Sequence, residues 1–556
     1  MMLILVLLAT LGVVALTERT VDRIVFAIAA LSCIAAGLLL IVADLERAML
    51  LAALLAAAIV GASKIKYHHS GIKLTVADLR LAFAGTVPFL VTQYRRAALT
   101  VLAASIALVL AAFATIVYAS GSPLSLGVRV LAVAVAFVCC LLAYAASGGA
   151  GSFRRTVVQP WGFFSTFMAS LIDTPSWRRS GGLSLTMAKD PLPLMTAIPA
   201  RGAATPDIIV IQHESIFDPR LFGLAVEPNV EAFLSPADGL WGSLGVEIYG
   251  GGSWQSEFSV LTGLSSAAFG PDAYFLFSRG VGRFHHSLPH ALAALGYKTM
   301  LMSSCRRNFL NYDAFYGSIG IDERMFSDDF PPPFDVDRFE QTSSDALFLE
   351  AALGAFAQRI AGDPAPRFLY ALTSFNHGPH DRRMVRSGQF EAERAFAAES
   401  LPDDQYAEYY ARLAETAATW KRLRSMLVTR FPDRPMLIVH YGDHQPVMTR
   451  RIEGQLRLPA DERRQFRTFY AIETLNGGAD RSVSRRRAVL DIAFLGTTAL
   501  QEAGLPLDRI FATRASLMDH RDDASPASSS DRSLRFHRTL VDLGLIDLAR
   551  ARVAEP

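Results

Sequence analysis

Two histidines and an aspartate crowd the stretch His440-Tyr441-Gly442-Asp443-His444, directly behind the apolar run 436–439. A carboxylate beside an imidazole can ligate a divalent cation: imidazole suits Zn²⁺ or Mn²⁺, and carboxylate suits Mn²⁺ or Mg²⁺. A second acid, Glu214, follows another apolar run, 207–211, in Gln212-His213-Glu214-Ser215. Together Glu214, Asp443 and His444 supply an O,O,N ligand set. Ser253 follows three glycines, Gly250-Gly251-Gly252. Glycines permit a tight turn that exposes a hydroxyl, and a helix starting there would aim backbone amides at an anion. A serine hydroxyl is a poor nucleophile until its proton is lost; coordination to a cation promotes that loss and also neutralises charge developing on a phosphoryl oxygen. The chemistry expected is therefore metal-dependent phosphoryl or sulfuryl transfer, with Ser253 as nucleophile and Glu214, Ser253, Asp443 and His444 as ligands of one ion. An acyl-transfer triad is excluded by context, since Ser253 is followed by Trp254-Gln255-Ser256-Glu257 rather than set in Gly-x-Ser-x-Gly.

Residues so far apart in the chain must be gathered by a sheet. Short apolar runs without alternation, at 207–211, 298–302, 368–372 and 436–439, read as parallel strands covered on both faces, and 242–248 is a weaker candidate. Helices are expected between them, notably at 406–429 and before Gly296. Ligands bind beyond the carboxyl ends of such strands. Those ends here carry Glu214, the Ser253 loop, Ser303-Ser304-Cys305-Arg306-Arg307, Ser374-Phe375-Asn376-His377 and Asp443-His444. His213 and His440 are expected to be packing or supporting residues. The fold class is α/β with a central, mostly parallel sheet.

Composition divides the 556-residue chain. Apolar stretches at 3–16, 24–43, 49–62, 97–118 and 130–146 predict about five membrane spans, with four as the alternative count; a span needs about 20 apolar residues. Thr17-Glu18-Arg19 lacks a small-residue cleavage pattern, so the first stretch reads as retained. The expected organisation is a transmembrane helical domain at 1–150 and an interfacial connector at 151–204, with Trp161, Phe163 and Phe164 as anchors. A catalytic domain at 205–510 and a C-terminal loop and helix at 511–556 follow. Net charge is +2, and no long basic run with interleaved aromatics occurs, which excludes nucleic acid as a partner. Three of the four cysteines lie in the apolar front section, so the polar part holds no internal disulfide. The bilayer itself is a partner. Basic residues between 64 and 96 and at 154–155 would, by charge alone, put the polar domain in the cytoplasm.

Several stretches taken together, ESIFD, GGGSWQSEFSVLTG, GYKTMLMSSCRRNFLNYDAFYGSIGIDE, FLYALTSFNHGPH and HYGDHQP, resemble the lipoteichoic acid synthase and membrane-glucan phosphoglycerol transferase group of the alkaline phosphatase/sulfatase-like superfamily. The likeness runs over about 207–505, and the front spans are similar to that family's membrane anchor. It implies an α/β/α catalytic domain holding one divalent ion, foremost Mn²⁺ with Zn²⁺ or Mg²⁺ as alternatives, on Glu214, Ser253, Asp443 and His444. It further implies substrate binding by His377. The chain departs from the lipoteichoic acid branch in having Ser253 for threonine, Ser303 for histidine, and Leu310-Asn311-Tyr312 for Trp-Asn-Arg. Arg306 or Arg307 is the expected substitute phosphate clamp, because guanidinium matches phosphate bidentately. A true sulfatase is disfavoured, since Ser253 is not in a Cys/Ser-x-Pro-x-Arg setting. The activity implied is phosphoglycerol transfer, from phosphatidylglycerol or another anionic phospholipid to a periplasmic glucan or similar glycan, through a covalent serine intermediate. A phosphoethanolamine transferase or phosphodiester hydrolase is the alternative. The resemblance also implies a multi-pass protein of the bacterial inner membrane whose catalytic domain faces the periplasm, against the charge count.

Overall fold

The computed structural model describes residues 17–70, 73–76, 95–118, 123–149, 161–178, 183–201, 205–307, 309–330, 344–459, 463–477, 485–519 and 530–548, with Gly12, Asp78 and Asp461. The chain forms two compact units, Met1–Gly181 and Gly182–Pro556.

The first unit contains helices α1 (Val21–Val42), α2 (Leu45–Ser70), α3 (Arg95–Tyr118), α4 (Leu126–Ala146) and α5 (Phe163–Arg178). Among the described residues four segments are long and apolar enough to cross a membrane: Val21–Val42, Leu45–Tyr67, Leu99–Val117 and Leu126–Ala146. The first expected stretch, 3–16, lies outside the described residues except for Gly12. The stretch at 49–62 is longer than its apolar run suggested, because the helix carries on through Lys64 and Lys66. Phe163 and Phe164 are buried in this unit's apolar cluster. The carboxylate of Glu18 accepts the N–H groups of Phe164 and Ser165 at the start of α5, where the helix dipole favours an anion. Lys73 Nζ donates to the Trp161 carbonyl at 2.6 Å and to Thr166 Oγ1 at 2.9 Å, so its ammonium is held by the same turn.

The second unit is built on an eight-stranded sheet of order β4-β3-β5-β1-β6-β7-β2-β8. Its strands are β1 (Asp207–His213), β2 (Leu240–Gly245), β3 (Lys298–Ser303), β4 (Glu323–Met325), β5 (Arg367–Leu372), β6 (Met436–Gly442), β7 (Arg467–Leu475) and β8 (Arg485–Asp491). β7 is antiparallel to both of its neighbours, and every other pairing is parallel. β1, β5 and β6 are buried at every position. The period of two sends Ile208 and Val210 into one apolar cluster and Ile209 and Ile211 into the other. Helices α6 (Trp254–Thr262) and α7 (Leu288–Ala294) cover the first face, and α8 (Asp345–Ile360) and α9 (Asp404–Arg430) cover the second. Each large apolar side chain so buried contributes about 1.5–3 kcal/mol.

β2 begins two residues before the expected strand and stops at Gly245. β4, β7 and β8 were not expected: β4 is three residues long, and β8 opens on three arginines, so neither carries an apolar run. α9 starts at Asp404 because the Asp403 carboxylate caps it, accepting the N–H groups of Gln405 and Tyr406. The last helix among the described residues is Asp531–Asp542, and it buries Phe536 and Leu540 against the first face.

Candidate metal centre

Three loops meet beyond the carboxyl ends of β1, β2 and β6. After β1 the chain turns at Ser215, whose φ is 55°, a left-handed conformation rare for a residue with a side chain. The turn lets the Ser215 N–H donate to Asp443 Oδ1 at 2.7 Å, and the His444 N–H donates to the same oxygen at 2.8 Å. The two strand ends approach so closely that a Cβ on Gly442 would lie 1.8 Å from the Ile216 carbonyl oxygen. Only glycine fits there. Beyond β2, Gly250, Gly251 and Gly252 take φ of 75°, 153° and 96°, a run of positive values that L residues do not sustain. The Gly250 N–H donates to the Gln445 carbonyl at 2.9 Å, which ties this loop to the one carrying Asp443 and His444. Ser253 stands at the N-terminus of α6.

The side chains converge as their types required. Ser253 Oγ lies 2.9 Å from Glu214 Oε2 and 3.4 Å from His444 Nε2. His444 Nε2 is 3.3 Å from Glu214 Oε1 and 3.5 Å from Asp443 Oδ2. One ligand atom from each of Glu214, Asp443 and His444 falls within 4.8 Å of the others, and all three residues are buried. A divalent cation fits this set on two observations. Asp443 Oδ2 is buried with no hydrogen-bond partner, a costly state for a carboxylate oxygen unless a cation meets it. His444 Nδ1 is 3.1 Å from the Gln445 carbonyl, so the Nδ1–H donates there and leaves Nε2 facing the carboxylates, as the nitrogen that would ligate a cation once its proton is displaced.

The charges agree. Burial raises Asp443 to about 7, with the Glu214 carboxylate adding to the shift. Burial alone would lower His444, but the Asp443 and Glu214 carboxylates overcome it and lift the imidazole to about 9. Burial would also raise Glu214, yet the hydrogen bond and charge of His444, with help from His377, hold it down at about 2. The pocket has surplus negative charge and retains a proton where a cation would sit.

Below it, on the α6 face of the sheet, is a polar layer that sequence reasoning missed. Glu257, one turn along α6 from Ser253, accepts hydrogen bonds from Gln212 at 3.2 Å, Tyr312 at 3.1 Å and Tyr316. Gln212 Oε1 in turn accepts from Tyr441 at 2.5 Å and Tyr370 at 3.2 Å. Gln212 and Tyr441 stand two positions before Glu214 and Asp443, a signal available from the strand period. Burial raises the Glu257 carboxyl to about 8 despite its three donors. Thr373, also missed, accepts the Glu214 N–H at 3.3 Å.

The remaining expected residues divide. His377 follows β5, is half-buried, and acts electrostatically on Glu214; its Nδ1 is 2.6 Å from the Gly378 carbonyl. Arg306 is exposed. Arg307 does not present an open fork: its guanidinium bonds Asp313 at 3.0 Å and Asp329 at 2.7 Å and lies over the Phe326 ring. Two carboxylates thus already engage the guanidinium that was expected as a phosphate clamp. Tyr312, standing where a cationic side chain was noted as lost, points its hydroxyl at Glu257. His213 and His440 pack with Phe233 and Phe469 in the core, and burial drives His440 down to about 3.

The sulfatase family model matches residues 208–471. The second unit is thus a sulfatase-like α/β/α domain with a largely parallel sheet, and it follows a set of long apolar helices. An uncharacterized protein of Haemophilus influenzae is 24% identical over 335 residues, 59% of this chain and 58% of that protein. The capsular polysaccharide biosynthesis protein RkpI of Rhizobium meliloti is 28% identical over 249 residues, 44% of this chain and 42% of that protein. The chain therefore covers less than two thirds of the length of either relative. Among solved structures, the integral membrane lipooligosaccharide phosphoethanolamine transferase A of Neisseria meningitidis shares the fold over 86% of this chain and 95% of its own, at a TM-score of 0.50 and 12% identity.

Proposed function

We propose that this chain is a membrane-anchored, metal-dependent transferase of substituted phosphate groups that takes a head group from a phospholipid. It acts as a phosphoethanolamine-type transferase, or as a phosphodiester hydrolase where water is the acceptor. The observation that carries this reading is the Ser253 hydroxyl set 2.9 Å from Glu214 and 3.4 Å from His444, beside a buried carboxylate oxygen of Asp443 with no hydrogen-bond partner. A divalent ion on Glu214, Asp443, His444 and Ser253, Mn²⁺ or Zn²⁺ by the donor set, would supply positive charge that favours loss of the serine proton and offsets charge on the phosphoryl oxygens.

The chain's own groups then do the following. The hydrogen bond to Glu214 aims Ser253 Oγ at phosphorus. A new Oγ–P bond forms as the P–O bond to diacylglycerol breaks; Ser253 gives up its proton to solvent, and diacylglycerol leaves with a proton, which His377 is suited to deliver. An acceptor hydroxyl then attacks the phosphoserine diester, the P–Oγ bond breaks, and Ser253 regains its proton. A lipid donor explains why such a site is joined to helices long enough to cross a membrane, four among the described residues. The catalytic unit is proposed to face the periplasm from the inner membrane.

Phosphoglycerol transfer from phosphatidylglycerol to a periplasmic glycan is the second reading. The motif resemblance favours it, and so does a relative whose name concerns capsular polysaccharide biosynthesis. Against it stands the engagement of Arg307 by Asp313 and Asp329, which occupies one of the two arginines expected to replace the lost cationic clamp. Vesicles containing one phospholipid at a time, followed by mass analysis of the Ser253 peptide, test the choice. A phosphoethanolamine mass supports the first reading and a glycerol phosphate mass the second. Neither adduct nor diacylglycerol release with any donor removes both.

A further inference from the structure

Arg412, on α9, is fully buried. A guanidinium has five N–H donors in a planar fork, and in this protein every one of them has an acceptor. Nε donates to Glu408 Oε1 at 2.9 Å. Nη1 donates to the carbonyls of Phe375 at 3.4 Å and His377 at 3.1 Å. Nη2 donates to those of Pro379 at 3.4 Å and Arg382 at 2.9 Å. The four carbonyls belong to one short loop, the one that leaves β5 and carries His377. Glu408 completes the frame: its Oε1 also accepts the Met384 N–H at 2.8 Å, and its Oε2 pairs with Arg394.

Buried carbonyls without partners are expensive, and a charge taken out of water is worse unless fully hydrogen-bonded. Here each solves the other's problem, so the loop's path is set by the shape of the fork. Lysine could not replace it, because an ammonium offers three donors from a single point. His377, within this loop, acts electrostatically on Glu214 of the metal centre.

We propose that Arg412 is a positioning residue of the reaction: its guanidinium is the template on which residues 375–382 close, and through them it fixes where the His377 ring meets the phosphodiester. The proposal rests on the reading of His377 as a group that contacts the donor phosphate.

The test uses the full chain in detergent, loaded with Mn²⁺ and supplied with phospholipid vesicles, and follows kcat and KM for diacylglycerol release. Arg412→Ala should lower kcat/KM on the order of 10²-fold, as a misplacement of about 1 Å does, while Mn²⁺ affinity stays at the wild-type value. In a His377→Ala background the same change should cost nothing further. Added guanidinium should restore Arg412→Ala but not the double variant. Arg412→Lys keeps charge and length, and it should show the same loss if the alanine variant does not fold. Additive losses, wild-type kinetics in either single Arg412 variant, or rescue of the double variant by guanidinium would overturn the proposal. A wild-type protein that releases no diacylglycerol from any donor would instead remove the functional reading on which it rests.

Discussion

The sharpest constraint on the metal centre is Gly442, and replacing it with alanine perturbs the site without touching a ligand. The new Cβ would start 1.8 Å from the Ile216 carbonyl oxygen, where real contacts stay above 3.0 Å, and it would sit 2.9 Å from the Ile216 carbonyl carbon. Both neighbours are backbone, so no side chain can swing aside. Relief requires the end of β6 and the turn after β1 to part by about 1.2 Å, the difference between 3.0 and 1.8 Å. Glu214 lies two residues before Ile216, and Asp443 directly follows Gly442. The bond from the Ser215 N–H to Asp443 Oδ1, now 2.7 Å, would be carried past the ~3.2 Å reach of such bonds. Forcing a methyl group into a packed interior costs about 1–3 kcal/mol, so Gly442→Ala should fold with a lower melting temperature. Mn²⁺ affinity should fall about 10–100-fold, as when the groups orienting metal ligands are disturbed. Donor turnover should fall on the order of 10²-fold. Calorimetric titration with Mn²⁺ and an assay of diacylglycerol release read both. Gly454→Ala is the control, since a Cβ there meets nothing within 4 Å. A folded Gly442→Ala protein with wild-type Mn²⁺ affinity and turnover would refute the argument that β1 and β6 must touch to build the site.

Other outcomes follow from the same structure. Glu257 holds its proton up to about 8 when folded, against an ordinary value near 4.5, so the folded state binds more protons between those limits. Its contribution to stability is full below pH 4.5 and is lost as pH rises toward 8, with a slope of at most about 1.4 kcal/mol per pH unit. Glu257→Gln, neutral at every pH, should flatten that part of the melting-temperature profile, and an unchanged profile would refute the assignment. Chelation should lower the melting temperature, and Mn²⁺ at 100 times its Kd should restore about 2.7 kcal/mol; insensitivity to both would contradict a cation on Glu214, Asp443 and His444. A protease-cleavable tag after Pro556 should be cut in intact spheroplasts, and its protection would place the catalytic unit in the cytoplasm.

The gathering of Glu214, Asp443 and His444 was legible in the sequence because it rests on short, local signals. Apolar runs fix β1, β3, β5 and β6, and the polar residues just past their ends are where a parallel sheet puts ligands. The long apolar stretches likewise pointed to the four span-length helices among the described residues, though Leu45–Tyr67 runs beyond its apolar run. The tertiary structure decided what depends on partners distant in the chain. β7 enters antiparallel between β6 and β2, and no property of residues 467–475 by themselves announces that place. Arg306 and Arg307 are neighbours of one residue type, yet the carboxylates of Asp313 and Asp329 engage Arg307. Arg412 looks like any helix arginine until four carbonyls from another segment close on its fork. A residue's type sets which bonds it can make; which of them it makes is settled by the chain that folds back against it.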